Sequence, residues 1–561
     1  MKIVIAAVNS KFVHMSLAPW YLKAACEDLC EIKVLELTIN QDKPEILRCI
    51  YNEKPDIIAF SCYIFNISHI LSVIQDLKKI LPKAVIILGG PEVSYNAEDV
   101  LLRNSDVDYV VCSEGEERLK QLLTCIIRGE SPDGIDGIAY REKGEVKYNP
   151  PINYIKDLDT IVSPYTDEML KAAKNKIAYF ESSRGCPFSC AYCLSGSSGG
   201  VRRFSLNRVK SDLERLMLSD ARQIKFVDRT FNCNPSRARE IIKFILNMSK
   251  SYKSGKASQK NYHFEAAADL FDDETIELLS TAPAGLFQLE IGIQSFNEKA
   301  LAASARKTNL ERCKDNIKKL VSCGNMHIHL DLIAGLPYED FKSFSQSFDK
   351  IYELSPHCIQ LGFLKLLHGS ALRNDASKYG YVFSEQPPYE VLSTPWLSYD
   401  DILVLKGVEA AVDVLYNTGR FFHSLTYIIS KLESAFNFFL KFSQILQEFY
   451  PEGYGIPSRE LYKMLLNFAK EFLPSDYNTI NELLKFDFFI SDSSCNPPKA
   501  LERHSLPNAR ELYAAERSKG RVHFERFSVN PLEPSSKVQT DIKFDYTTKN
   551  PVTGHYGYTF I

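Results

Sequence analysis

The first 150 residues alternate between short apolar runs and amphipathic stretches. One such stretch is 17–29, where Leu17, Tyr21 and Ala24 fall on the same helical face, and another is 68–80. Strands that alternate with helices predict a doubly wound parallel sheet, here a Rossmann-like domain of α/β class, whose ligands bind at the carboxyl ends of the strands. The predicted strands are Lys2–Val8, Ile32–Leu37, Asp56–Ser61, Ala84–Leu88 and Asp108–Cys112.

The same rhythm resumes after Asn149-Pro150-Pro151, which we interpret as a domain boundary. Six further strands with helical segments between them predict a partial (β/α)6 barrel of the TIM type. Such barrels carry their function on the loops at the C-terminal ends of the strands. The predicted strands are Lys176–Glu181, Gln223–Val227, Tyr262–Glu265, Leu286–Ile291, His327–Leu332 and Ile359–Phe363.

A different pattern follows Gln386-Pro387-Pro388, where long apolar-periodic stretches predict a mainly helical C-terminal domain with a short β-rich tail. The predicted helices are 401–416, 427–449 and 459–472, and strand formers collect from Val522 onward, with alternation at Val538–Tyr546. Aromatic residues at helical spacing, such as Phe436 and Phe439, are expected in the core of this domain. The expected domains are therefore 1–150, 151–380 and 381–561, and the sequence assigns no role to the last.

The composition excludes several classes of protein. The 561 residues are 45% apolar and 24% charged, as in an ordinary soluble globular protein, and a net charge of -3 without a long basic run argues against nucleic-acid binding. No apolar run reaches the roughly 20 residues of a membrane span, and the apolar start of the chain is too short for a signal peptide. Because 14 cysteines occur without an export signal, we expect a reducing, cytoplasmic location rather than disulfides.

Three of the cysteines, Cys186, Cys190 and Cys193, form a CxxxCxxC run. A 4Fe-4S cube normally takes four thiolates, so three thiolates leave one iron open to a small ligand. A structural zinc ion would need a fourth sulfur or nitrogen ligand, and the next candidates along the chain are Cys233 and His263. The spacing favours a cluster, and a zinc knuckle or three unrelated core thiols are the alternatives.

The residues around this run carry a family resemblance. Tyr192 precedes the last cysteine, and Ser183-Arg184-Gly185 and Pro187 flank the first. Together with the cysteines they resemble the signature of the radical S-adenosylmethionine (SAM) enzymes. The resemblance implies that the open iron chelates SAM, that Tyr192 belongs to the cofactor site, and that reductive cleavage of SAM gives a 5'-deoxyadenosyl radical. An exposed cluster of this kind also implies anaerobic conditions.

Polar residues lie where several of the predicted barrel strands end. The resemblance implies that the run 289–295 meets the ribose and methionine parts of SAM and that the run 331–337 meets the adenine. The structural alternative is that these side chains serve as helix caps, ion-pair partners or strand-end contacts. The residues expected at SAM are Asp228, Glu265, Gly292, Gln294, Ser295 and Ile333.

The strand ends of the first domain collect glycine, hydroxyl and carboxylate residues. Glycines there allow the backbone to approach a bulky ligand closely, and without a GxGxxG run a dinucleotide is not favoured. Taken with the cysteine motif, this half resembles the cobalamin-binding domain that precedes the barrel in one radical SAM subfamily; ordinary loops are the alternative. The residues expected at cobalamin are Asn9, Ser61, Tyr63, Gly89, Gly90, Pro91, Glu114, Gly115 and Glu116.

Two further observations concern this domain. The DxHxxG loop whose histidine ligates cobalt does not occur, and His14 lies five residues beyond Asn9, so we expect His14 to be a surface or packing residue. An alternative is the N-terminal half of methylthiotransferases, which holds a second cluster on three cysteines. Only Cys62 and Cys112 of the N-terminal cysteines lie at predicted strand ends, which disfavours that alternative.

The resemblance covers residues 1–370 and, more loosely, the remainder. It implies a cobalamin-dependent radical SAM enzyme that uses a 4Fe-4S cluster, SAM and cobalamin. The expected reaction is SAM cleavage followed by methyl transfer to an unactivated carbon of a small molecule or peptide, with flavodoxin or ferredoxin as electron donor. The alternatives are a radical SAM cyclase or rearrangement enzyme without methyl transfer and a non-catalytic corrinoid-binding sensor, which the intact cysteine triad disfavours.

Overall fold

A computed structural model describes residues 1–197, 199–251, 260–451, 455–516, 520–536 and 538–561. The chain divides into two compact units. The first unit contains residues 1–279, 304–307 and 364–392, and the second contains 280–303, 308–363 and 393–561. The expected division into three domains, with boundaries at 150 and 380, stays a prediction.

The first unit opens with a seven-stranded sheet in the order β2-β1-β3-β4-β5-β6-β7. The first five strands are parallel, as predicted, and β6 and β7 add an antiparallel hairpin at one edge that the sequence analysis missed. The hairpin turns at Lys143 and Gly144, both with positive φ, and Lys-Gly is a weaker turn signal than Asn-Gly or Asp-Gly. The strands are β1 Lys2–Asn9, β2 Glu31–Thr38, β3 Ile57–Ser61, β4 Val85–Gly89, β5 Tyr109–Val111, β6 Ile138–Glu142 and β7 Glu145–Asn149.

Helices cover both faces of this sheet because its central strands are apolar on both sides. In β1, Val4 and Val8 belong to one buried cluster and Ile3 and Ile5 to the other. Continuous apolar strands are typical of a parallel sheet that is covered twice. The helices are α1 Ala18–Cys26, α2 Lys43–Asn52, α3 Ile67–Ile80, α4 Pro91–Ser94, α5 Ala97–Arg103 and α6 Gly115–Arg128.

The first unit continues with three parallel strands in the order β8-β11-β12. Phe180, Phe226 and Phe264 are fully buried side chains in these strands, and neighbouring rings lie 4.9 Å and 4.6 Å apart. The elements are α7 Asp167–Ala172, β8 Ile177–Phe180, β9 Ser183–Arg184, β10 Arg202–Arg203, α8 Leu206–Leu218, β11 Gln223–Phe226, α9 Pro235–Ser251, β12 Asn261–Ala266 and α10 Asp273–Ser280.

The second unit begins with three parallel strands in the order β13-β14-β15, each separated from the next by helix. The six predicted barrel strands therefore all form, and the α/β class with its barrel-like repeat is confirmed. The elements are β13 Phe287–Gln294, α11 Glu298–Ala303, α12 Leu310–Ser322, β14 His327–Ala334, α13 Phe341–Glu353 and β15 Cys358–Phe363.

A short stretch, which belongs to the first unit apart from its last residue, separates the barrel strands from the C-terminal helices. Its elements are α14 Ala371–Asn374, β16 Val382–Phe383 and β17 Val391–Ser393, and the two strands pair with each other.

The rest of the second unit is mainly helical and ends in an antiparallel sheet of order β18-β19-β20, as predicted. Phe436, Phe438 and Phe439 are buried, in agreement with the expected aromatic core. The elements are α15 Tyr399–Leu415, α16 Phe422–Ser430, α17 Ala435–Phe449, α18 Ser458–Phe472, α19 Tyr477–Ser491, α20 Ala509–Glu516, β18 Val522–Phe527, β19 Thr540–Lys549 and β20 Tyr556–Phe560.

Two details of this region differ from the sequence analysis. The predicted helix 427–449 is wrong as a single element, because Ser434 caps the separate helix α17 by accepting a hydrogen bond from Asn437 N, and its hydroxyl donates to Asp349. Helix α19 was missed because its central stretch 480–490 is buried all round and therefore shows no polar face. In the part of the chain that the structure describes, no helix is long and apolar enough to cross a membrane.

Helix α19 supplies a buried carboxylate, Asp487, to the start of α16. Its oxygens accept from the backbone N and the ring Nδ1 of His423, at 3.1 and 2.9 Å, and from the backbone N and hydroxyl of Ser424, at 2.8 and 2.6 Å. The first N–H groups of a helix have no partner within the helix, and a negative charge at that end is stabilising. Asp487 therefore joins α19 to α16, and it pairs with N–H groups at the start of α16 that have no partner within that helix.

Asp487→Ala is expected to lower the free energy of unfolding by about 3 kcal/mol or more, because four donors at a fully buried position lose their acceptor. Urea unfolding followed by circular dichroism measures this loss. Asp315→Ala, at an exposed position of α12, is the matched control and should leave the midpoint almost unchanged. Equal midpoints for the two variants would contradict the role given to Asp487.

Candidate functional site

The cysteine loop begins directly after β8, and Asp228 accepts hydrogen bonds from its first residues. Asp228 is 1% exposed and follows β11. It accepts from the backbone N and hydroxyl of Ser182, at 2.9 and 2.6 Å, and from the hydroxyl of Ser183 at 2.5 Å. Burial raises the pKa of Asp228, and these donors oppose that rise. Asp228 thus braces the loop, and its predicted contact with SAM stays a prediction.

Each of the three motif sulfurs has its own hydrogen-bond partner. The Sγ of Cys186 lies 3.4 Å from the hydroxyl of Thr230, and the Sγ of Cys193 accepts from Ser195 N at 3.4 Å. The Sγ of Cys190 accepts from Arg306 at 3.7 Å, so a guanidinium lies beside it. Burial raises the pKa of the Cys186 thiol, and Thr230 opposes that rise.

The donor set fits an iron-sulfur cluster. All three groups are thiols, the ligands that such clusters take, and hydrogen bonds to the sulfurs are one of the ways in which proteins tune them. Among the described residues, no three His, Cys, Asp or Glu side chains are arranged to hold a single metal ion. Tyr192 is half-buried beside Cys190 and Arg306, as expected for a residue within this loop.

A buried ion network joins the cysteine loop to the first sheet. Arg184, from the loop, donates to Glu181 at 3.1 Å, to Glu114 at 3.2 Å and to Glu116. Arg202, paired with Arg184 through β9 and β10, donates to both oxygens of Glu114 at 2.9 and 2.8 Å. All five side chains are at most 15% exposed, so this network holds its charges away from water.

The pKa values in this network follow from burial and pairing. Burial works against the charge of Arg184, but Glu181 and Glu116 outweigh it and raise the pKa of the guanidinium. Burial also opposes ionisation of Glu114, yet Arg202 and Arg184 hold its pKa below the usual range. For Glu181 burial wins and raises the pKa, although Arg184 opposes the rise.

A cavity of about 690 Å³ lies within the first unit, bounded by the ends of both parallel sets of strands. Gly185 and Leu194, which flank the cysteine motif, line it, as do Tyr179, Lys225 and Glu265 from β8, β11 and β12. The structure thus brings Glu265 into the same cavity as all nine residues predicted at cobalamin. These nine are Asn9, Ser61, Tyr63, Gly89, Gly90, Pro91, Glu114, Gly115 and Glu116.

The wall of this cavity fits a large, partly apolar ligand, and its volume falls within the usual range for ligand sites. The rings of Tyr63 and Phe65 stack at 5.5 Å and both line it. Gly90 has φ +109, and a Cβ there would lie 2.5 Å from the carbonyl oxygen of Cys62. This glycine is therefore required by the neighbouring strand end, a reason that differs from the close approach to a ligand expected from the sequence.

Several predicted cavity residues use their polar groups within the protein. The amide of Asn9 donates to His14 O at 3.0 Å and to Glu36 at 3.2 Å, and its oxygen accepts from Ser16 at 2.6 Å. Glu114 and Glu116 are paired with arginine, as described above. These residues shape the cavity wall, and their direct contacts with a cofactor stay predictions.

The sequence analysis missed several cavity residues. Tyr179 and Lys225 occupy alternate positions of β8 and β11 that are less buried than their neighbours, a signal that the strand patterns contain. His14, expected to be a surface or packing residue, lines the cavity, and its Nδ1 lies 2.8 Å from the hydroxyl of Tyr179. Burial lowers the pKa of His14, and Lys11 and Lys225 act in the same direction. Arg306, which donates to the Sγ of Cys190, was also missed, because it belongs to no motif that the sequence analysis used.

The remaining predicted SAM residues lie in the second unit, at the ends of β13 and β14. Gln294 has φ +74, and its side chain folds over Gly292, where an added Cβ would lie 2.0 Å from Nε2. Ser295 is fully buried, donates to Glu339 and accepts from Asn297 N at 2.8 Å. Burial raises the pKa of Glu339 to about 8, with Ser295 opposing the rise.

The last of these residues, Ile333, lies in β14 opposite Gly362 of β15. SAM contacts of Gly292, Gln294, Ser295 and Ile333 stay predictions.

Comparisons with known families match three parts of the chain. Residues 3–123 match the B12 binding domain, residues 180–351 match the radical SAM superfamily, and residues 377–551 match a protein family of unknown function, DUF4080.

Two proteins of similar sequence carry methyltransferase names. An uncharacterized methyltransferase of Pyrococcus horikoshii is 26% identical over 327 residues, covering 57% of this chain and 69% of that protein. The cobalamin-dependent radical SAM methyltransferase TokK of Streptomyces tokunonensis is 26% identical over 321 residues, covering 54% of this chain and 46% of that protein. Thus the chain spans less than half the length of TokK.

Among solved structures, the cobalamin-dependent SAM radical enzyme OxsB superposes with a TM-score of 0.59 at 14% identity. The match covers 87% of this chain and 83% of that chain, which supports the fold. The predicted fold class, family and set of cofactors are confirmed at the level of these domains. With a match to the B12 binding domain before a match to the radical SAM superfamily, the chain has the domain combination expected of a cobalamin-binding radical SAM enzyme, followed by a match to DUF4080.

Proposed function

We propose that this protein is a cobalamin-dependent radical SAM methyltransferase that acts on an unactivated carbon. The observation that carries the proposal is the cavity described above. It is lined by the strand ends of the B12 binding domain and by Gly185 and Leu194 of the cysteine loop. A ligand held by the first domain would therefore face the side of the barrel from which radical chemistry starts.

The two cofactor systems, when bound, would supply a 5'-deoxyadenosyl radical from SAM at the cluster and a methyl group from cobalamin. Cys186, Cys190 and Cys193 would hold the cluster, and iron binding would release their thiol protons. Arg306 would offset the negative charge of the Cys190 thiolate. Asp228 and Arg184 keep the loop in place, so that the reacting groups are oriented before substrate arrives.

The substrate class proposed is a small molecule or a peptide, and the electron donor proposed is a flavodoxin or ferredoxin. TokK, the matched relative, is named as a cobalamin-dependent radical SAM methyltransferase, which supports methyl transfer over cyclisation or rearrangement. The cytoplasmic location stays a prediction from the cysteine content.

The proposal is tested by anaerobic reconstitution of the full chain with iron, sulfide and hydroxocobalamin. The expected result is a 4Fe-4S absorption band together with about one corrin per chain, because all nine residues predicted at cobalamin line one cavity. Optical spectra and cofactor quantitation measure both. A cluster without corrin would contradict methyl transfer, and corrin without a cluster would favour a corrinoid-binding sensor.

Cys190→Ala is expected to abolish formation of 5'-deoxyadenosine from SAM while leaving hydroxocobalamin binding intact, since the first domain does not use this thiol. Anaerobic incubation with SAM and dithionite, followed by chromatography, measures the cleavage product. Cys323→Ala removes a thiol at the end of α12 and serves as the matched control with unchanged cleavage. Cleavage by the Cys190 variant at the wild-type rate would refute the cluster assignment.

Arg184→Ala is expected to destabilise the first unit by about 3–5 kcal/mol, because three buried carboxylates lose their common cation. It should also reduce the iron content after reconstitution, since the loop loses its anchor. Thermal denaturation of the apoprotein and iron quantitation measure the two effects. Arg48→Ala removes an exposed partner of Glu45 and should change neither quantity; an Arg184 variant that behaves alike would disprove the anchoring role.

A further inference from the structure

Residues 364–392, the returning segment, follow β15 and belong to the first compact unit. The start and end of the segment are held together by backbone hydrogen bonds, from Leu366 N to Tyr389 O at 3.0 Å and from Val391 N to Leu364 O at 2.9 Å. The segment therefore forms a closed loop whose ends are fixed. The motifs found in the sequence gave it no role.

One side of the returning segment is bonded to the cysteine loop. The backbone N of Leu372 donates to the carbonyl oxygen of Ala191 at 2.8 Å. Ala191 directly follows Cys190 in the CxxxCxxC run, and Leu372 is 1% exposed. The contact joins two backbones, so it positions the loop that presents the thiols.

The other side of the segment is bonded to the B12 binding domain. The hydroxyl of Tyr389 donates to Glu92, which lies in α4 directly after Pro91 of the cavity wall. Tyr389 is 5% exposed and Glu92 is 7% exposed. Gly369 has φ +85, and a Cβ there would lie 2.2 Å from Cδ1 of Tyr95, so the segment also packs on a ring that lines the cavity.

The surroundings of the Tyr389–Glu92 contact keep it in place. The guanidinium of Arg373 lies 4.8 Å from the centre of the Tyr389 ring and donates to Leu366 O, and the ring of His368 packs edge-on at 5.0 Å. Burial raises the pKa of Glu92, while Tyr389 and Arg373 oppose the rise. Neither Tyr389 nor Glu92 lines the cavity, so neither is placed to touch a ligand there.

We propose that the returning segment is a positioning element that fixes the cavity wall at residues 89–95 relative to the cysteine loop, with Tyr389 and Glu92 as its positioning residues. The inference rests on the proposed function in that cobalamin is the ligand of this wall. Tyr389 lies within the residues that match the DUF4080 family, so in this chain the first part of that match contacts the part that matches the B12 binding domain. The contact preorganises the wall, which lowers the cost of ordering it on binding.

Tyr389→Phe tests this inference because it removes only the hydroxyl. Hydrogen–deuterium exchange of peptides that cover 88–96 should become about tenfold faster in the apoprotein, while peptides that cover β11 keep their rates. Hydroxocobalamin, titrated into the full chain, should bind about tenfold more weakly, the effect of losing one buried hydrogen bond. Cleavage of SAM without substrate should persist, since the Leu372 contact is untouched.

Two variants serve as controls. Tyr381→Phe removes a hydroxyl from a buried tyrosine of the same segment that does not bond Glu92 and should leave exchange and binding unchanged. Glu92→Gln keeps an acceptor for Tyr389 and should retain near wild-type binding, whereas Glu92→Ala should match Tyr389→Phe.

The outcomes separate this inference from the proposed function. Unchanged exchange at 88–96 in Tyr389→Phe overturns the positioning role, whatever the protein binds. Faster exchange with unchanged hydroxocobalamin affinity also overturns it, because the contact would then stabilise the wall without serving the ligand. A wild-type chain that binds no hydroxocobalamin refutes the proposed function itself, and with it the ligand named here.

Discussion

The site depends on one buried guanidinium, that of Arg184, which joins the cysteine loop to the first sheet. Its partners are Glu181 on its own loop and Glu114 and Glu116 at the start of α6. A buried charge is tolerated only when it is paired and hydrogen-bonded. The removal of any one of these groups would therefore leave others buried without a partner. The cysteine loop and the first sheet are therefore joined by a buried ion network whose members depend on one another.

Many polar residues at the site form hydrogen bonds with other residues of the same chain. Asp228 accepts from the serines before the cysteine run, Asn9 bonds to the loop that follows β1, and Glu92 accepts from Tyr389. Such buried hydrogen bonds fix backbone positions because an unpaired buried polar group is costly. This division of work suits a protein whose cofactors carry the difficult chemistry and whose chain must orient them.

The C-terminal helices of the second unit combine an aromatic core with a buried carboxylate that is hydrogen-bonded. Aromatic side chains such as Phe438 and Phe468 pack edge to face at 5.1 Å and supply the apolar core. Asp487 is a charged acceptor in that interior, at the start of α16. Helix α19, which carries it, is buried on every side along its central stretch, so its position is set by the elements packed around it.

The sequence by itself determined the order of strands and helices and the three thiols, because hydrophobic period and cysteine spacing are local properties. It also named the nine strand-end residues that line one cavity, since parallel strands end at a common edge. It could not find the β6–β7 hairpin, helix α19, Arg306 or the Tyr389–Glu92 contact, which joins positions 297 residues apart. Only tertiary structure decided which polar groups pair with each other, because those partners are distant in sequence and leave no periodic signal.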